Sequence, residues 1–480
     1  MAYEGKNIYK QLENLIIQNE SMAKNIKELT NINKLQIEEN KKLNEKLLES
    51  FDKNQKLLLE IERLKNNNKK DSSNSSKPTG TNGFKKIMNT REKSNKKKGG
   101  QKGHEGTTLT NSQIEKMIED GKIDEVIVVE INKKKGSNVT NIRYEYDIII
   151  KSKVTKYIEY SKKATKTKHA PVVYGNTIKV LSVLLNQKYM SLDGVQSVFN
   201  QILNNGITIS KGSLYNWTKL ISDKLETTTY KDIQAKLLDA LVIHVDESPI
   251  KINGEQYYLH NISDGNYTLQ YVHKKRGMQA LNDFKFFEKY TGILVHDHFS
   301  MYYNFGGDNG ECNSHILRYL NAVKEFTNHK WAGKLTLLFK KMRDRKAELI
   351  SYGLDSLMEN EYDEFVLEYS KVLEDSKLEL KKDYKTNAYR DDERKLIDRL
   401  IKYTRNHLLF LKKFFVPFSN NRAESDLRGI KIKQKTGKFR SEEGAKAYAI
   451  IKSCLSTFTK NNKNSFVTLQ DILNLKEITI

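Results

Sequence analysis

The chain has 480 residues, with 83 lysines and arginines against 60 aspartates and glutamates, and its formal net charge is +23. This surplus indicates a polyanionic partner, either nucleic acid or an anionic membrane surface. No apolar run approaches the roughly 18 residues that a membrane span requires, and the polar start predicts no secretory signal. The two cysteines, Cys312 and Cys454, exclude a disulfide framework and fit a reducing cytosol.

Residues 1–66 predict a coiled-coil dimerisation helix, because one heptad register continues without interruption from Ile8 to Leu64. Leucine-rich d positions and a positions occupied by Ile, Leu and Asn are typical of a parallel dimer, in which a buried Asn fixes the register. The alternative is a long solvated helix packed on the protein's own core, but the narrow apolar stripe favours self-pairing. We therefore expect a homodimer or higher oligomer.

Residues 67–112 predict a basic flexible linker, since Lys, Ser, Asn and Gly dominate and apolar residues are scarce. A mobile cationic arm can neutralise DNA phosphates without reading the base sequence. A merely solvated tether is the alternative, and the dimeric context and the overall charge favour DNA. The lysines predicted to contact DNA are Lys93, Lys96, Lys97, Lys98 and Lys102.

Two further segments precede the central part of the chain. Short β-branched and aromatic runs at 124–131 and 142–151 predict strands in a small β-rich domain over 113–180. Residues 181–235 predict a helix, a Gly-containing turn and a second helix with Ser210 as its N-cap, the layout of a DNA-reading helix-turn-helix. Plain helical hairpins share this layout. The outward residues predicted to contact DNA are Lys211, Ser213 and Asn216.

Residues 236–316 predict the first part of an α/β ribonuclease-H-like catalytic core, with the order strand, strand, strand, helix (278–290) and strand. Asp246 and Asp297 end the first and fourth strands, which lie side by side in such a core. Neighbouring carboxylates are hard to keep ionised unless a divalent cation lies between them. Oxygen ligands favour Mg²⁺ or Mn²⁺, and two such ions support phosphodiester displacement. A lone strand-end acid would more often cap the next turn, but two acids in this topology favour a metal site.

The rest of the chain predicts an α-helical insertion over 317–415 and the C-terminal helices of the core over 416–480. If a helix begins near Asn421, Glu424 is a candidate third ligand, and it shares one helical stripe with three cations. The cations are Arg428, Lys431 and Lys435, all predicted to contact DNA. A structural salt-bridge ladder is the alternative, and Asp426 lies off this stripe.

Segments from 71 to 453 resemble, in order, the DDE transposases of the bacterial insertion-sequence family sixty-six, including HVDESPI (244–250), GILVHDHFSMYYNF (292–305) and PFSNNRAESDLR (417–428). The resemblance implies that Asp246, Asp297 and Glu424 are a catalytic triad holding two Mg²⁺ or Mn²⁺ ions. It implies strand cleavage and strand transfer at the ends of an insertion sequence, with double-stranded DNA as substrate and target, in the bacterial cytoplasm on the nucleoid. Family members often carry paired cysteines in a zinc module before the core. This chain has no cysteine before Cys312, so that module is metal-free or lost.

Two other functions compete with this interpretation. A non-enzymatic DNA-binding protein, an inactive or accessory transposase, would keep the fold and the basic arm, but the three intact acids argue against it. A structural coiled-coil protein would leave the acid-terminated strands unexplained.

Cys312 and His315 could form half of a zinc site, yet no second close pair of cysteines accompanies them, so packing is preferred. His296 and His298 flank Asp297, and a structural role is favoured over general-base catalysis.

Overall fold

The computed structural model describes residues 2–69, 109–131, 133, 138–148, 150–158, 160, 172–203, 209–327, 329–382 and 389–474. The chain divides into two compact units. One unit comprises Met1–Ile87 and Asn309–Asn420, and the other comprises Met88–Asp308 and Asn421–Ile480.

The N-terminal segment is one long helix, α1 (Ala2–Lys69), as the heptad pattern predicts. Its described apolar side chains are exposed along the seam, among them Leu15, Met22, Ile26 and Leu29. Long helices gain most of their stability from packing an apolar face rather than from helix propensity. An exposed seam therefore suits a helix that pairs with another copy, and the dimer remains a prediction.

A five-stranded mixed sheet has the order β3-β2-β1-β4-β5. Strands β1 and β2 are antiparallel, β2 and β3 are antiparallel, and β1 and β4 are parallel. Asn253 and Gly254, both with positive φ, form the tight turn between β1 and β2, because Asn-Gly tolerates the left-handed conformation that such hairpins need. The strands are β1 (Val242–Ile252), β2 (Glu255–Ser263), β3 (Thr268–His273), β4 (Ile293–His296) and β5 (Asp308–Glu311).

Helices surround the sheet in the unit that contains β1 to β4. On one face, Ile250 and Leu259 pack with Leu427 and Ile430. On the other, Val245 joins a core cluster with several aromatic side chains. The helices of this unit, numbered in chain order, are α2 (Asn111–Glu119), α3 (Asn176–Gln187), α4 (Leu192–Leu203), α5 (Lys211–Thr227), α6 (Thr229–Leu238), α7 (Met278–Asp283), α13 (Asn421–Thr436), α14 (Glu442–Lys460) and α15 (Ser465–Leu473).

The helical pair predicted over 181–235 is present as α4 and α5, although residues 204–208 between them lie outside the described residues. Ser210 caps α5 as predicted, because its side chain accepts a hydrogen bond from the N–H of Ser213. Leu214, Trp217 and Ile221 are buried, as the apolar pattern predicts.

The helix predicted over 278–290 is wrong beyond Asp283, where α7 ends. Lys285 adopts a positive φ, which a continuing right-handed helix does not allow. The neighbouring Phe286 and Phe287 are both buried. A turn can bury two adjacent side chains, whereas on a helix they would point about 100° apart.

The strands predicted over 124–131 and 142–151 are also wrong, because the described residues of these segments form no β-ladder. Their side chains are largely exposed, including Val128, Val129 and Ile148. β-propensity reflects packing on a paired sheet surface rather than a backbone preference, so β-branched residues do not make a strand without a partner. The β-rich domain over 113–180 therefore lacks the two strands on which it was predicted.

The other unit is helical in the region predicted to be an α-helical insertion. Trp331, Phe339, Tyr369 and Phe410 lie in its interior. The buried carboxylate of Glu311 accepts hydrogen bonds from Arg399. Besides α1, the helices of this unit are α8 (Asn313–Phe326), α9 (Trp331–Ser351), α10 (Glu359–Lys382), α11 (Arg390–Lys402) and α12 (Thr404–Lys412). Among the helices described in either unit, none combines the length and the apolar character needed to cross a membrane.

Candidate active site

Asp246 and Asp297 are brought together by the parallel pairing of β1 and β4. Val242 is opposite Ile293, and His244 is opposite Val295. Asp246 follows His244 by two residues and is still within β1. Asp297 follows Val295 by two residues and comes directly after β4. The strand alternation that buries Ile243, Val245 and Leu294 thus carries both acids to the same edge of the core.

Glu424 lies in the first turn of α13, and this helix packs on the sheet face that carries Asp246. Residues directly opposite in neighbouring strands share a face, so Asp246, Asn261 and Gln270 form a row across β1, β2 and β3. The Gln270 amide donates to Asn261 at 3.0 Å and to the backbone oxygen of Asp426 at 3.4 Å. This row holds the N-terminal half of α13 against the sheet.

The pKa of Asp246 reflects the negative charges of the acids close to it. Burial raises the pKa of Asp246 well above its usual value, and the negative charges of Asp297, Glu247 and Glu424 raise it further. The N–H of Glu247 donates to Oδ1 of Asp246 at 2.8 Å and opposes this shift. The three acids predicted from the sequence therefore interact electrostatically at one place.

The donor set fits a hard divalent cation. Oδ1 of Asp297 is buried and has no hydrogen-bond partner among the residues that the structure describes. A buried carboxylate oxygen without a partner is costly unless a cation or water satisfies it. Carboxylate oxygens are the ligands that Mg²⁺ and Mn²⁺ prefer. Asp246, Asp297 and Glu424 thus form a suitable site for these metals.

Glu247 is a fourth acid at the site, and the sequence did not single it out. Its side chain is 1% exposed and forms an ion pair with Arg276, with 2.5 Å between Oε1 and Nε. The hydroxyl of Tyr302 donates to the other oxygen at 2.8 Å. Burial and the charge of Asp297 raise the pKa of Glu247. Strand alternation could have shown that Glu247 falls on an apolar face, but not which residues pair with it.

Asp426 lies apart from the acid cluster, as the helical stripe predicts. Its carboxylate forms a 3.1 Å ion pair with Nζ of Lys460 and accepts a 3.3 Å hydrogen bond from the hydroxyl of Thr268. Both partners belong to the packing of α13 on β3 and α14. Asp426 therefore has a structural environment distinct from that of Glu424.

The cations predicted on α13 are all exposed: Arg428, Lys431 and Lys435. Lys433, in contrast, is 6% exposed, and its ammonium group donates to the backbone oxygens of Asn186 and Met190 at 3.4 and 3.5 Å. The predicted stripe is thus solvent-facing, while Lys433 fixes α13 to the turn between α3 and α4.

The three residues predicted on the helix-turn-helix have different surroundings. Lys211 is exposed and forms an ion pair with Asp193 of α4. Ser213 belongs to the N-terminal cap of α5, its hydroxyl 3.0 Å from that of Ser210. Asn216 is exposed. DNA contact by these residues remains a prediction, as does contact by Lys93, Lys96, Lys97, Lys98 and Lys102, which lie outside the described residues.

The two histidines and the cysteine considered in the sequence analysis make local contacts. His296 is buried, and its Nδ1 accepts from the N–H of His298 at 3.2 Å. The ring of His298 lies 3.0 Å from the hydroxyl of Tyr303. In the other unit, buried Cys312 accepts the N–H of Asn420 on its sulfur at 3.1 Å. Structural roles for these residues remain a prediction.

Comparison with known protein families matches residues 175–447 to the model of the family described as "Transposase IS66 family". The match covers more than half of the chain. The chain belongs to the IS66 transposase family. Membership implies DNA transposition, DNA binding and the use of a divalent metal. Residues 12–110 match a second family, one of unknown function, DUF6444. The comparison with curated proteins finds no match.

Proposed function

We propose that the chain is a DDE transposase with a ribonuclease-H-like core, which cleaves DNA strands at the ends of its insertion sequence and transfers them to target DNA. Asp246, Asp297 and Glu424 are its catalytic residues and metal ligands. The observation that carries the proposal is the convergence of these acids, since the charges of Asp297 and Glu424 both act on Asp246. The strand order β3-β2-β1-β4-β5 supports the assignment of the core.

Two Mg²⁺ or Mn²⁺ ions bound by this triad would activate the attacking oxygen and stabilise the leaving one. In the first step a water oxygen bonds to phosphorus, the bond from phosphorus to the 3′ oxygen breaks, and a free 3′-hydroxyl results. In the second step this hydroxyl attacks a phosphodiester of the target and displaces another 3′ oxygen. Neither step needs a covalent bond to the protein.

The surroundings of the triad support DNA as the substrate. Arg428, Lys431 and Lys435 follow Glu424 on α13 and are exposed, so they can contact phosphates beside the acids. We assign the same role to the lysine cluster at 93–102 and to Lys211, Ser213 and Asn216. We assign self-association to the long helix α1, with a homodimer or a larger assembly as the active species. We assign this activity to the bacterial cytoplasm, on the nucleoid, where its DNA substrates would lie.

The test incubates purified chain with supercoiled plasmid DNA that carries both ends of the element encoding it, in Mg²⁺ or in chelator. We expect nicks at the element ends in Mg²⁺ and none in chelator. Binding to these ends without cleavage in Mg²⁺ or Mn²⁺ would instead favour the non-enzymatic DNA-binding protein.

A further inference from the structure

Arg276, in the turn between β3 and α7, is fixed beside the candidate metal site by residues next to the two aspartates. Its Nε donates to Oε1 of Glu247 at 2.5 Å, and Glu247 follows Asp246 directly. Its guanidinium lies 4.4 Å from the ring centroid of Phe299, two residues after Asp297. Arg276 is therefore held by residues close in sequence to both aspartates.

The anchor of Arg276 is built from buried groups. Glu247 is 1% exposed, and Tyr302, which donates to its second oxygen, is also 1% exposed. With one oxygen bound by Tyr302 and the other by Arg276, Glu247 has little capacity left for a metal. It is better suited to orient a cation than to act as a fourth ligand.

Much of Arg276 nevertheless remains open. Its side chain is 47% exposed, and within the part of the chain that the structure describes, its two terminal nitrogens make no hydrogen bond. The Nε contact and the position over the Phe299 ring restrict the movement of the guanidinium. An arginine held in this way presents a planar fork of N–H donors, which matches two oxygens of a phosphate.

Arg276 stays protonated in this position. Burial alone would lower the pKa of the guanidinium, but the charges of Glu247 and Asp297 more than compensate and raise it. The cation is thus close enough to Asp297 to feel its charge. Reacting DNA held by the three acids would bring its phosphate into the same neighbourhood.

We propose that Arg276 is a catalytic residue that binds the scissile phosphate and stabilises the negative charge that builds up on it during strand cleavage. The proposal rests on the proposed function and adds a residue to it. Glu247, Tyr302 and Phe299 are then positioning residues, which act through Arg276. A guanidinium serving only to neutralise Glu247 would not need to be 47% exposed, with both terminal nitrogens lacking a hydrogen bond among the described residues.

The experiment compares Arg276→Ala and Arg276→Lys with the wild-type chain and with Lys274→Ala. Lys274 is the matched control, because it lies in the same turn and forms an exposed ion pair with Glu255. Cleavage is measured in a single turnover at saturating protein, on duplex DNA carrying one end of the element. DNA affinity in Ca²⁺, the melting temperature and rescue by added methylguanidinium are measured on the same samples.

We expect Arg276→Ala to slow cleavage by about 10²–10³-fold, the usual cost of losing one donor to a transition-state oxyanion. Its melting temperature and its affinity in Ca²⁺ should stay near those of Lys274→Ala. Methylguanidinium, at concentrations that do not change the melting temperature, should restore part of the rate of Arg276→Ala only. Arg276→Lys should fall between, because it keeps the charge but not the planar fork.

Cleavage by Arg276→Ala at the rate of Lys274→Ala would overturn the role of Arg276 while leaving the proposed function intact. A slow variant that methylguanidinium does not rescue, and that melts earlier, would show a structural role and overturn it as well. If Arg276→Ala does not fold, Arg276→Lys replaces it in the test. Cleavage by Arg276→Lys at the wild-type rate, unchanged by methylguanidinium, would overturn the role of Arg276 as well. Absence of cleavage by the wild-type chain in Mg²⁺ and Mn²⁺ would instead refute the proposed function itself, and this inference with it.

Discussion

Nζ of Lys460 lies 3.1 Å from Oδ2 of Asp426, although Asp426 is only two residues from Glu424. Both side chains of this pair are mostly buried, 17% and 14% exposed. Two residues along a helix turn the side chain by about 200°, so one acid of α13 is neutralised within the packing while the other belongs to the acid cluster.

This pairing predicts a change in stability rather than in chemistry for Asp426→Asn. Losing the charge leaves Lys460 partly buried without its counter-ion, and we expect about 1–2 kcal/mol of destabilisation, seen as a melting temperature lower by a few degrees. Cleavage per folded molecule should be unchanged. Glu255→Gln is the control, because its ion pair with Lys274 is exposed and worth little. Loss of cleavage in Asp426→Asn without loss of stability would place the third ligand at Asp426.

The raised pKa of Asp246 predicts a pH-dependent response to metal. The folded state holds the proton of Asp246 more tightly than the unfolded state, so this group lowers the stability of the metal-free chain as pH rises from about 4 through the raised pKa. Mg²⁺ must displace that proton. Differential scanning fluorimetry should therefore show a stabilisation by Mg²⁺ that grows with pH over this range.

The matched variant for this measurement is Asp246→Asn, which carries no titrating group at this position. In chelator it should melt above wild type, by about 2–4 °C if roughly 1 kcal/mol of repulsion is relieved, and the difference should widen as pH rises. A stabilisation by Mg²⁺ of equal size in the variant and in wild type would contradict the assignment of Asp246 as a ligand.

The close approach of α13 to the turn after α3 predicts that Gly429 tolerates no larger residue. A Cβ at position 429 would lie 2.3 Å from the hydroxyl oxygen of Tyr189 and 3.1 Å from ring carbons. Gly429→Ala should therefore destabilise the chain by about 1–3 kcal/mol, despite the higher helix propensity of alanine. Chemical denaturation monitored by circular dichroism measures this change.

Tyr189 itself supplies the control. It has a φ of 73°, which glycine adopts without strain, so Tyr189→Gly removes the obstructing ring and suits the backbone. The cost of Gly429→Ala should shrink or reverse in the Tyr189→Gly background. An equal cost in both backgrounds would mean that the contact with Tyr189 does not limit position 429.

The exposed seam of α1 predicts that this helix carries the self-association of the chain. Deletion of residues 1–69 should leave a folded core with an unchanged thermal transition but a smaller sedimentation coefficient, typical of a monomer. Replacing Leu29 with Asp in the full chain should weaken association in the same direction, because a charge in a coiled-coil seam is costly. The same oligomer before and after deletion would assign association to another surface.

Local patterns were enough to predict much of this fold. The buried strands β1 and β4 with their acids, the Ser210 cap and the helices within 317–415 follow from alternation, capping and helical periodicity. The prediction that the first strand ends at Asp246 was wrong, because β1 continues to Ile252 in its pairing with β2. The strands over 124–131 and 142–151 were wrong because strand formation depends on a partner that composition does not reveal. The end of α7 at Asp283 was missed because apolar residues over 284–287 fit a helical pattern as well as a buried turn.

The candidate site was predictable only in part, for the same reason. Asp246, Asp297 and Glu424 could be proposed because each occupies a recognisable place on a strand or a helix. Arg276 and Tyr302, 29 and 55 positions from Glu247 along the chain, carry no local signal of their pairing with it. Lys433 resembled its exposed neighbours on α13, and only the packing of the turn after α3 separates it from them.

The most direct measurement of the central claim maps cleaved strand ends produced by the wild-type chain and by Asp246→Asn, Asp297→Asn and Glu424→Gln. Each amide keeps the size of the acid but removes the charge that balances a divalent ion. With Mg²⁺ and DNA carrying the element end, the wild-type chain should release a 3′-hydroxyl at the element boundary. Each variant should bind the DNA with nearly wild-type affinity and release at least about 10³-fold less. Cleavage at the same boundary by all three variants would contradict the claim that these acids hold the catalytic metal.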